Sequence, residues 1–388
     1  MLKSKVGYST NSNAYTSSKE ALLMASEGLT NPKLVFMYSS VVYDQQELLK
    51  ATSDLLPDVP IIGCTSFTGV LTPDGYISGD DGFIGMMALA DDALSVGIAG
   101  LPKTGDARLI GREVAKKALK HANRSDAPKY FYMVASPGEE ESYLKGIQDI
   151  IGRVPFFGGS AADNSISGEW SLFTHEGAFA DGVAVAFFYT DKAFANEFTG
   201  AYKESNHVGV ITKVDGKRGL IEIDGKPAVK VYADWTGTEA DSLLGANLLA
   251  ATITAPLGVK DRLGDLVAIR HPMSGNPDYS MSIGNNVAEN TAVIMMEATV
   301  DDLIDSPYTT LEKLKSKLDK EIGAYHIVHC GGRRAGIGDR IDEVAENLKK
   351  AAGDVPFLGV FTFGEYGFED DGNNTCGGLM LSFSAFEK

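Results

Sequence analysis

The sequence predicts an α/β protein of two lobes, layered from mixed β-sheets covered by helices and built from repeated strand-helix-strand-strand units. Three observations predict it. Val-Pro followed by two large apolar residues and Gly occurs at Val59, Val154 and Val355. Apolar or small residues stand twelve, eleven, eight, five and four places before each proline, with Thr52 the one polar exception. That i, i+1, i+4, i+7, i+8 spacing is one face of a helix. A short apolar run precedes each helix, at 34–38, 130–135 and 326–330, and reads as a strand by its length and its β-branched and aromatic content.

In chain order, a first strand at 5–10 leads through a Ser/Asn-rich loop to a helix from about Ser17. Equivalent leading helices are expected at 106–122 and 306–322. After each Val-Pro strand comes a Gly/Asp-rich turn region and a third strand, at 82–90, 182–189 and 377–384. In 182–189, Val183, Val185 and Phe187 face one way and Ala184, Ala186 and Phe188 the other, so both faces should be buried. Another alternating stretch, 94–101, closes copy one. The prolines of copies one and two lie 95 residues apart and those of copies two and three 201 apart, so an insert precedes the third copy.

The insert alternates over 210–235 and carries Asp215-Gly216 and Asp224-Gly225, which predicts a meander of hairpins. A helix is expected over 239–251, then strands at 266–270, 279–283 and 292–298. Ser306-Pro307 suits the N-cap and first turn of the helix opening copy three. With the boundary placed near Ser205, the N-terminal lobe is 1–204, two tandem copies. The C-terminal lobe is 205–388, the meander plus the third copy.

With 388 residues, 44% of them hydrophobic, the chain can bury a large core. Its net charge of −17 argues against nucleic acid or an anionic membrane as the main partner. Cys64, Cys330 and Cys376 are an odd count and make no disulfide framework. No signal-peptide h-region and no apolar run near ~20 residues is present, so a soluble cytoplasmic protein is expected.

Ligands in layered α/β proteins sit beyond the carboxyl ends of strands. Copy one delivers Ser39-Ser40 there, copy two Ser136-Pro137-Gly138 and Glu139 to Glu141, and copy three CGGRRAGIGD from Cys330. In the last, Gly331 and Gly332 would let backbone amides approach an anion while Arg333 and Arg334 grip a carboxylate. The alternative is ordinary surface charge beside a Gly-rich turn. The Val-Pro strands end in Thr65-Ser66, in Gly158-Gly159-Ser160 with Asp163 and Asn164, and near Glu365, while Asn373 and Asn374 precede the last strand. Small residues, carboxylates and amides suit a pocket for a small polar molecule, although bulge and turn roles serve equally for each alone.

P-loop, GxSxG, HExxH and paired CxxC signatures are absent. His326 and His329, three apart on a strand, face opposite ways and cannot share a metal. A lone His175, His207, His271 or His329 could bind haem iron axially. An uncharacterised enzyme using Cys64 or Cys330 as nucleophile is the further alternative.

IIGCTSFTG from Ile61, FFGGSAADN from Phe156, IEIDGKPAVKVYADW from Ile221, HCGGRRAGIG from His329 and VPFLGVFTFGEYG from Val355 together resemble the FIST proteins. In that family an N-terminal FIST domain is followed by a FIST_C domain. Asn373-Asn374 stands where the resemblance leads one to expect His-Asn. The resemblance implies small-ligand sensing in signal transduction, with amino acids the usual suggestion and haem in some relatives. It implies an output partner such as a histidine kinase, diguanylate cyclase or chemoreceptor, separate here because the two halves fill the chain. Arg333 or Arg334 is expected to take the ligand carboxylate, and Glu365 and Asp163 its ammonium, held between or within the lobes.

Overall fold

The computed structural model describes residues 1–260, 265–369 and 372–388. Residues 370–371, within the Gly/Asp-rich turn expected in copy three, lie outside them. Copy one runs β1 (Lys3–Ser9), α1 (Ala14–Ser26), β2 (Leu34–Ser39), α2 (Gln45–Leu55), β3 (Ile61–Thr65), a hairpin β4 (Val70–Thr72) and β5 (Gly75–Ile77), then β6 (Ile84–Ala90). Copy two repeats the order as β7 (Ser95–Pro102), α3 (Ala107–His121), β8 (Tyr130–Ala135), α4 (Glu140–Ile151), β9 (Phe156–Ser160), hairpin β10 (Leu172–Thr174) and β11 (Gly177–Phe179), and β12 (Gly182–Tyr189). Copy three opens with β13 (Phe194–Thr199) and is then interrupted.

The insert holds β14 (Lys203–Asp215), β15 (Gly219–Ile223), β16 (Lys226–Pro227), α5 (Ala228–Thr236), α6 (Asn247–Ala251), β17 (Leu257–Lys260), β18 (Val267–Arg270), β19 (Pro272–Gly275), β20 (Met281–Ile283) and β21 (Thr291–Glu297). Copy three resumes with α7 (Val300–Lys315), β22 (Ile322–Cys330), α8 (Gly331–Ile337), α9 (Ile341–Ala352), β23 (Phe357–Thr362), hairpin β24 (Glu365–Phe368) and β25 (Asn374–Gly377), and β26 (Leu381–Glu387).

Each copy forms one mixed sheet: β1-β6-β2-β3, β7-β12-β8-β9 and β13-β26-β22-β23. The repeated strand and the Val-Pro strand pair in parallel across a crossover helix, and the other neighbours are antiparallel. Each sheet is then completed by another copy's hairpin. β10-β11 of copy two joins the first sheet, β24-β25 of copy three the second, and β4-β5 of copy one the third. The exchange closes a ring. Bonds at equivalent positions tighten it: Ala162 N–H donates to Thr65 O at 3.0 Å, Phe363 N–H to Ser160 O at 3.2 Å, and Phe67 N–H to Phe361 O at 3.0 Å.

Strand alternation explains the layers. Val35 and Met37 of β2 face α1 and α2, Phe131 and Met133 of β8 face α3 and α4, and Tyr325 and Ile327 of β22 face α7 and α9. The opposite faces meet in one central core. There Phe36, Tyr132 and His326 occupy the same register position of their strands. Their rings lie 4.7 to 5.4 Å apart. Tyr38 Oη bonds both Tyr132 Oη at 2.9 Å and His326 Nε2 at 2.5 Å. Burial pushes the His326 pKa down to about 3, so the imidazole is neutral there. Every residue of 182–189 is buried, as its two apolar faces require.

Four local expectations are corrected. Ser306-Pro307 lies inside α7, which begins earlier because Thr299 and Asp302 form a capping box. The meander ends at β16, and 228–236 is helical: Pro227 is the N-cap and Gly237, at φ 68°, the left-handed C-cap. The 239–251 helix is only a 3₁₀ turn over Ala240–Leu243 and the short α6. CGGRRAGIGD is not an open loop. Gly331–Ile337 is helix α8, with Cys330 Sγ accepting from Gly332 N–H at 3.2 Å.

Candidate functional site

The expected site residues separate into three places. Gly158, Gly159, Ser160, Glu365, Gly331, Gly332 and Arg333 come together where β9 and β22 end and β24 begins. Gly158 (φ 141°) and Gly159 are close-approach glycines: an added Cβ would lie 1.9 Å from Met133 O at the first and 2.7 Å from Thr362 Cγ2 at the second. Gly332 likewise lacks room, with Leu379 2.8 Å from such a Cβ. Thr65, Ser66, Asp163 and Asn164 lie at the ring where the copies meet, with Arg334 nearby on Tyr76. Asn374 stands apart, its Nδ2 on Val154 O at 2.7 Å.

Arg333 is wholly buried and is engaged by protein acceptors rather than open to a ligand. Its Nη1 donates to Gly200 O at 2.8 Å, and its Nη2 donates to Ser306 Oγ and to Leu303 O at 3.4 Å. The sequence explains why. Pro307 has no N–H for the carbonyl four residues earlier, Leu303 O, and Ser306 Oγ (3.2 Å) and Arg333 take its place. Arg334 stacks 4.9 Å over Tyr76 and donates to Tyr76 Oη and Gly338 O. Where the sequence led one to expect a carboxylate grip, the terminal nitrogens of Arg333 and the guanidinium of Arg334 are bonded to protein groups.

The same holds for the expected ammonium partners. Both Asp163 oxygens accept backbone amides, from Ser165 (2.8 Å), Ser167 (3.1 Å), Gly168 (2.7 Å) and Glu169 (3.1 Å). These amides hold its carboxyl below the ordinary range against the opposing effect of burial. Glu365 is wholly buried. It is bonded to Thr362 Oγ1 at 2.9 Å and to Met380 N–H at 2.8 Å, and burial raises its pKa to about 8. Thr65 Oγ1 accepts Ser171 N–H at 2.9 Å, Ser66 Oγ accepts Phe361 N–H at 3.0 Å, and Asn164 Oδ1 accepts Thr68 N–H at 3.0 Å. Each pins one copy to another.

A second polar cluster joins Ser160, Glu140 and Glu141, read in the sequence as loop residues of copy two, to Arg218 and Tyr366, which were not singled out. Ser160 Oγ, 2.6 Å from Tyr366 Oη, donates to Glu140 Oε1 at 3.1 Å. Arg218 of the insert grips Glu140 at 2.5 Å and Glu141 at 2.8 Å. Burial raises the Glu140 carboxyl and Arg218 opposes it. Arg218 thereby ties the insert to the start of α4.

A cleft of about 950 Å³ lies between the third sheet and the insert, and none of its lining residues was singled out. The continuous run 194–202 forms one wall, Val267, Ile269 and Met296 the other, and Lys313 and Lys317 an end. Glu197, 3% exposed, pairs with both lysines at 2.6 Å. At the end of this wall Tyr202 stacks on Arg333, 5.5 Å from the ring centroid to the guanidinium carbon. The one sequence signal was a carboxylate inside a short, otherwise largely apolar strand, FANEFT.

No expected histidine lines the cleft. His271 Nε2 is bonded to Leu249 O at 3.2 Å, and His329 Nδ1 to Cys330 O at 3.1 Å. Among the described residues His329 Nε2 has no partner, but the buried ring packs 5.2 Å from Phe361, which does not fit an axial haem ligand needing an open face. His175 packs on His121 and His207 on Trp235. Cys64 and Cys330 are buried and their thiol pKa values pushed well up, away from thiolate nucleophiles.

A sheet built three times over, with a fourth sheet inserted beside one copy and a cleft at that junction, defines a layered α/β protein. The chain belongs to the FIST family: the FIST N domain matches residues 33–226 and the FIST C domain residues 228–367. FIST domains are generally associated with the sensing of small ligands in signal transduction. Comparison with curated proteins gives no significant match. Similar solved structures include a cyanuric acid hydrolase from A. caulinodans, at 9% identity over 100% of both chains and TM-score 0.36. A second cyanuric acid hydrolase structure matches at 10% identity over 99% of both, TM-score 0.34. PurLQS from Thermotoga maritima matches at 9% identity over 99% of this chain and 72% of that one, TM-score 0.24. Among the described residues no helix is long and apolar enough to cross a membrane.

Proposed function

We propose that the cleft between the third sheet and the insert binds a small zwitterion, an amino acid or a related carboxylate, and that the bound state is passed to a separate signalling protein. A histidine kinase, diguanylate cyclase or chemoreceptor would be such an output. The observation that carries this reading is the cleft wall with a buried Glu197 held between Lys313 and Lys317. A buried carboxylate needs compensating charge. A ligand carboxylate can share the lysines while its ammonium approaches Glu197, so a zwitterion exchanges ion pairs without leaving a charge uncompensated. Lys313 stands in the last turn of α7 and Lys317 just past its C-cap Ser316, so ligand contact there bears on the end of a helix whose earlier turn is held by Arg333.

Thermal unfolding against a panel of amino acids and carboxylates tests this. A ligand at ~100 Kd adds ~2.7 kcal/mol of stability. The shift should be lost in Glu197→Gln and in Lys313→Met and kept in Arg334→Ala. Retention in both cleft variants places the ligand elsewhere. An absorbance spectrum with hemin, run alongside, would replace the reading if a Soret band with imidazole ligation appeared.

A further inference from the structure

β13 is the outer strand of its sheet, and its free edge runs along the cleft. Glu387 N–H bonds Ala193 O at 3.0 Å, and Phe194 stands opposite Phe386. Antiparallel residues alternate between facing the partner strand and facing away. The backbone groups of residues 193, 195, 197 and 199 therefore face β26, and those of Phe194, Asn196, Phe198 and Gly200 project from the free edge. Two of the projecting carbonyls are already taken by side-chain cations. Lys317 Nζ bonds Asn196 O at 2.8 Å, and Arg333 Nη1 bonds Gly200 O at 2.8 Å. Between them, the N–H and C=O of Phe198 make no hydrogen bond within the described residues.

Resting on the proposed cleft site, we infer that a free α-amino acid with a large apolar side chain binds as a single β-rung on Phe198. Its carboxylate accepts from Phe198 N–H beside the Lys317 ammonium, and its ammonium donates to Phe198 C=O. A free amino acid carries the same donor and acceptor, one on each side of its Cα, as a residue in an antiparallel strand. A longer peptide would need the next rungs two residues away, and the carbonyls there are held by Lys317 and Arg333. The cations thus guard the edge against strand addition and leave a window one residue wide. The facing wall of Val267, Ile269 and Met296 sets the apolar side-chain preference.

The test is calorimetric titration of the intact chain with leucine, phenylalanine, glycine, 4-methylpentanoate, isopentylamine, N-acetylleucine and leucylleucine, with exchange of the Phe198 amide followed by NMR. Leucine or phenylalanine should bind and slow that exchange. Removing or blocking either charged end should weaken binding about tenfold or more, the loss of one hydrogen bond to a charged group. Leucylleucine should be weakened by a similar factor. If leucylleucine or 4-methylpentanoate binds as tightly as leucine, or the Phe198 amide is unaffected at saturation, the rung is wrong while the cleft stands. If none of the compounds binds, the zwitterion reading of the cleft falls, and the rung with it.

Discussion

Glu365→Gln should flatten the pH dependence of stability between about pH 5 and pH 8. The carboxyl is enclosed by Thr362, Met380 N–H, the Cys330 thiol and Arg333, and burial outweighs their stabilisation of the charged form, raising its pKa from 4.5 to about 8. A raised carboxyl pKa means that the native state holds a proton which the unfolded chain has released. The stability it contributes is present in full below pH ~4.5 and is lost as the pH rises through about 8. At 1.36 kcal/mol per pH unit, the interval sets an upper bound of about 5 kcal/mol, and relaxation around the ionised group leaves on the order of a few kcal/mol. Gln has nearly the same shape and no proton to lose. Urea unfolding of both proteins at pH 5, 6, 7 and 8 gives the difference directly, with the other titrating groups common to both. Wild type should lose stability relative to the variant by a few kcal/mol across that range. A constant difference, or a wild type that gains on the variant as pH rises, would refute a neutral buried Glu365.

Two further variants probe the polar clusters. Arg218→Ala leaves Glu140 and Glu141 without their cation and should cost about 3–5 kcal/mol by urea unfolding, the range for breaking a buried pair. That loss should shrink on acidification, as Glu140 takes up a proton. Asp163→Asn removes one of the two oxygens that together accept four amides and should cost about 1–3 kcal/mol. Exchange at Gly168 and Glu169 should quicken. Because its folded pKa is depressed, the Asp163 contribution is present above the ordinary carboxylate range and lost as pH falls.

Much of the fold was legible because apolar periodicity is local information. The helices 45–55, 140–151 and 341–352 and the strands before and after them follow from it. What was not legible is tertiary. β4, β10 and β24 are three or four residues long, too short for periodicity to say which sheet they complete, so the hairpin exchange left no trace in sequence. Arg333 was read as a ligand grip because Gly-Gly-Arg-Arg looks like an exposed anion loop. Its real partners are a carbonyl freed by Pro307 and the end of β13, far away in sequence. Glu197 went unread because one carboxylate in a strand signifies nothing until its lysines are placed beside it.

Departures from the triplicated pattern show where this chain has been specialised. Equivalent core positions keep their size and burial: Phe36, Tyr132 and His326 share one register and meet at the centre. The leading strands do not stay equivalent. β1 and β7 each run directly into a helix that covers their own sheet, whereas β13 is separated from α7 by the whole insert. The insert keeps α7 in its equivalent place on the third sheet while standing a new sheet beside the edge of β13. Covering that edge completely would have needed one more paired strand. Instead Lys317 and Arg333 cap two of its carbonyls, and the insert's apolar side chains face it across the cleft. An edge closed by side chains at two points and left open between them is protected against pairing with another chain, yet keeps one donor and one acceptor for a ligand of a single residue's length.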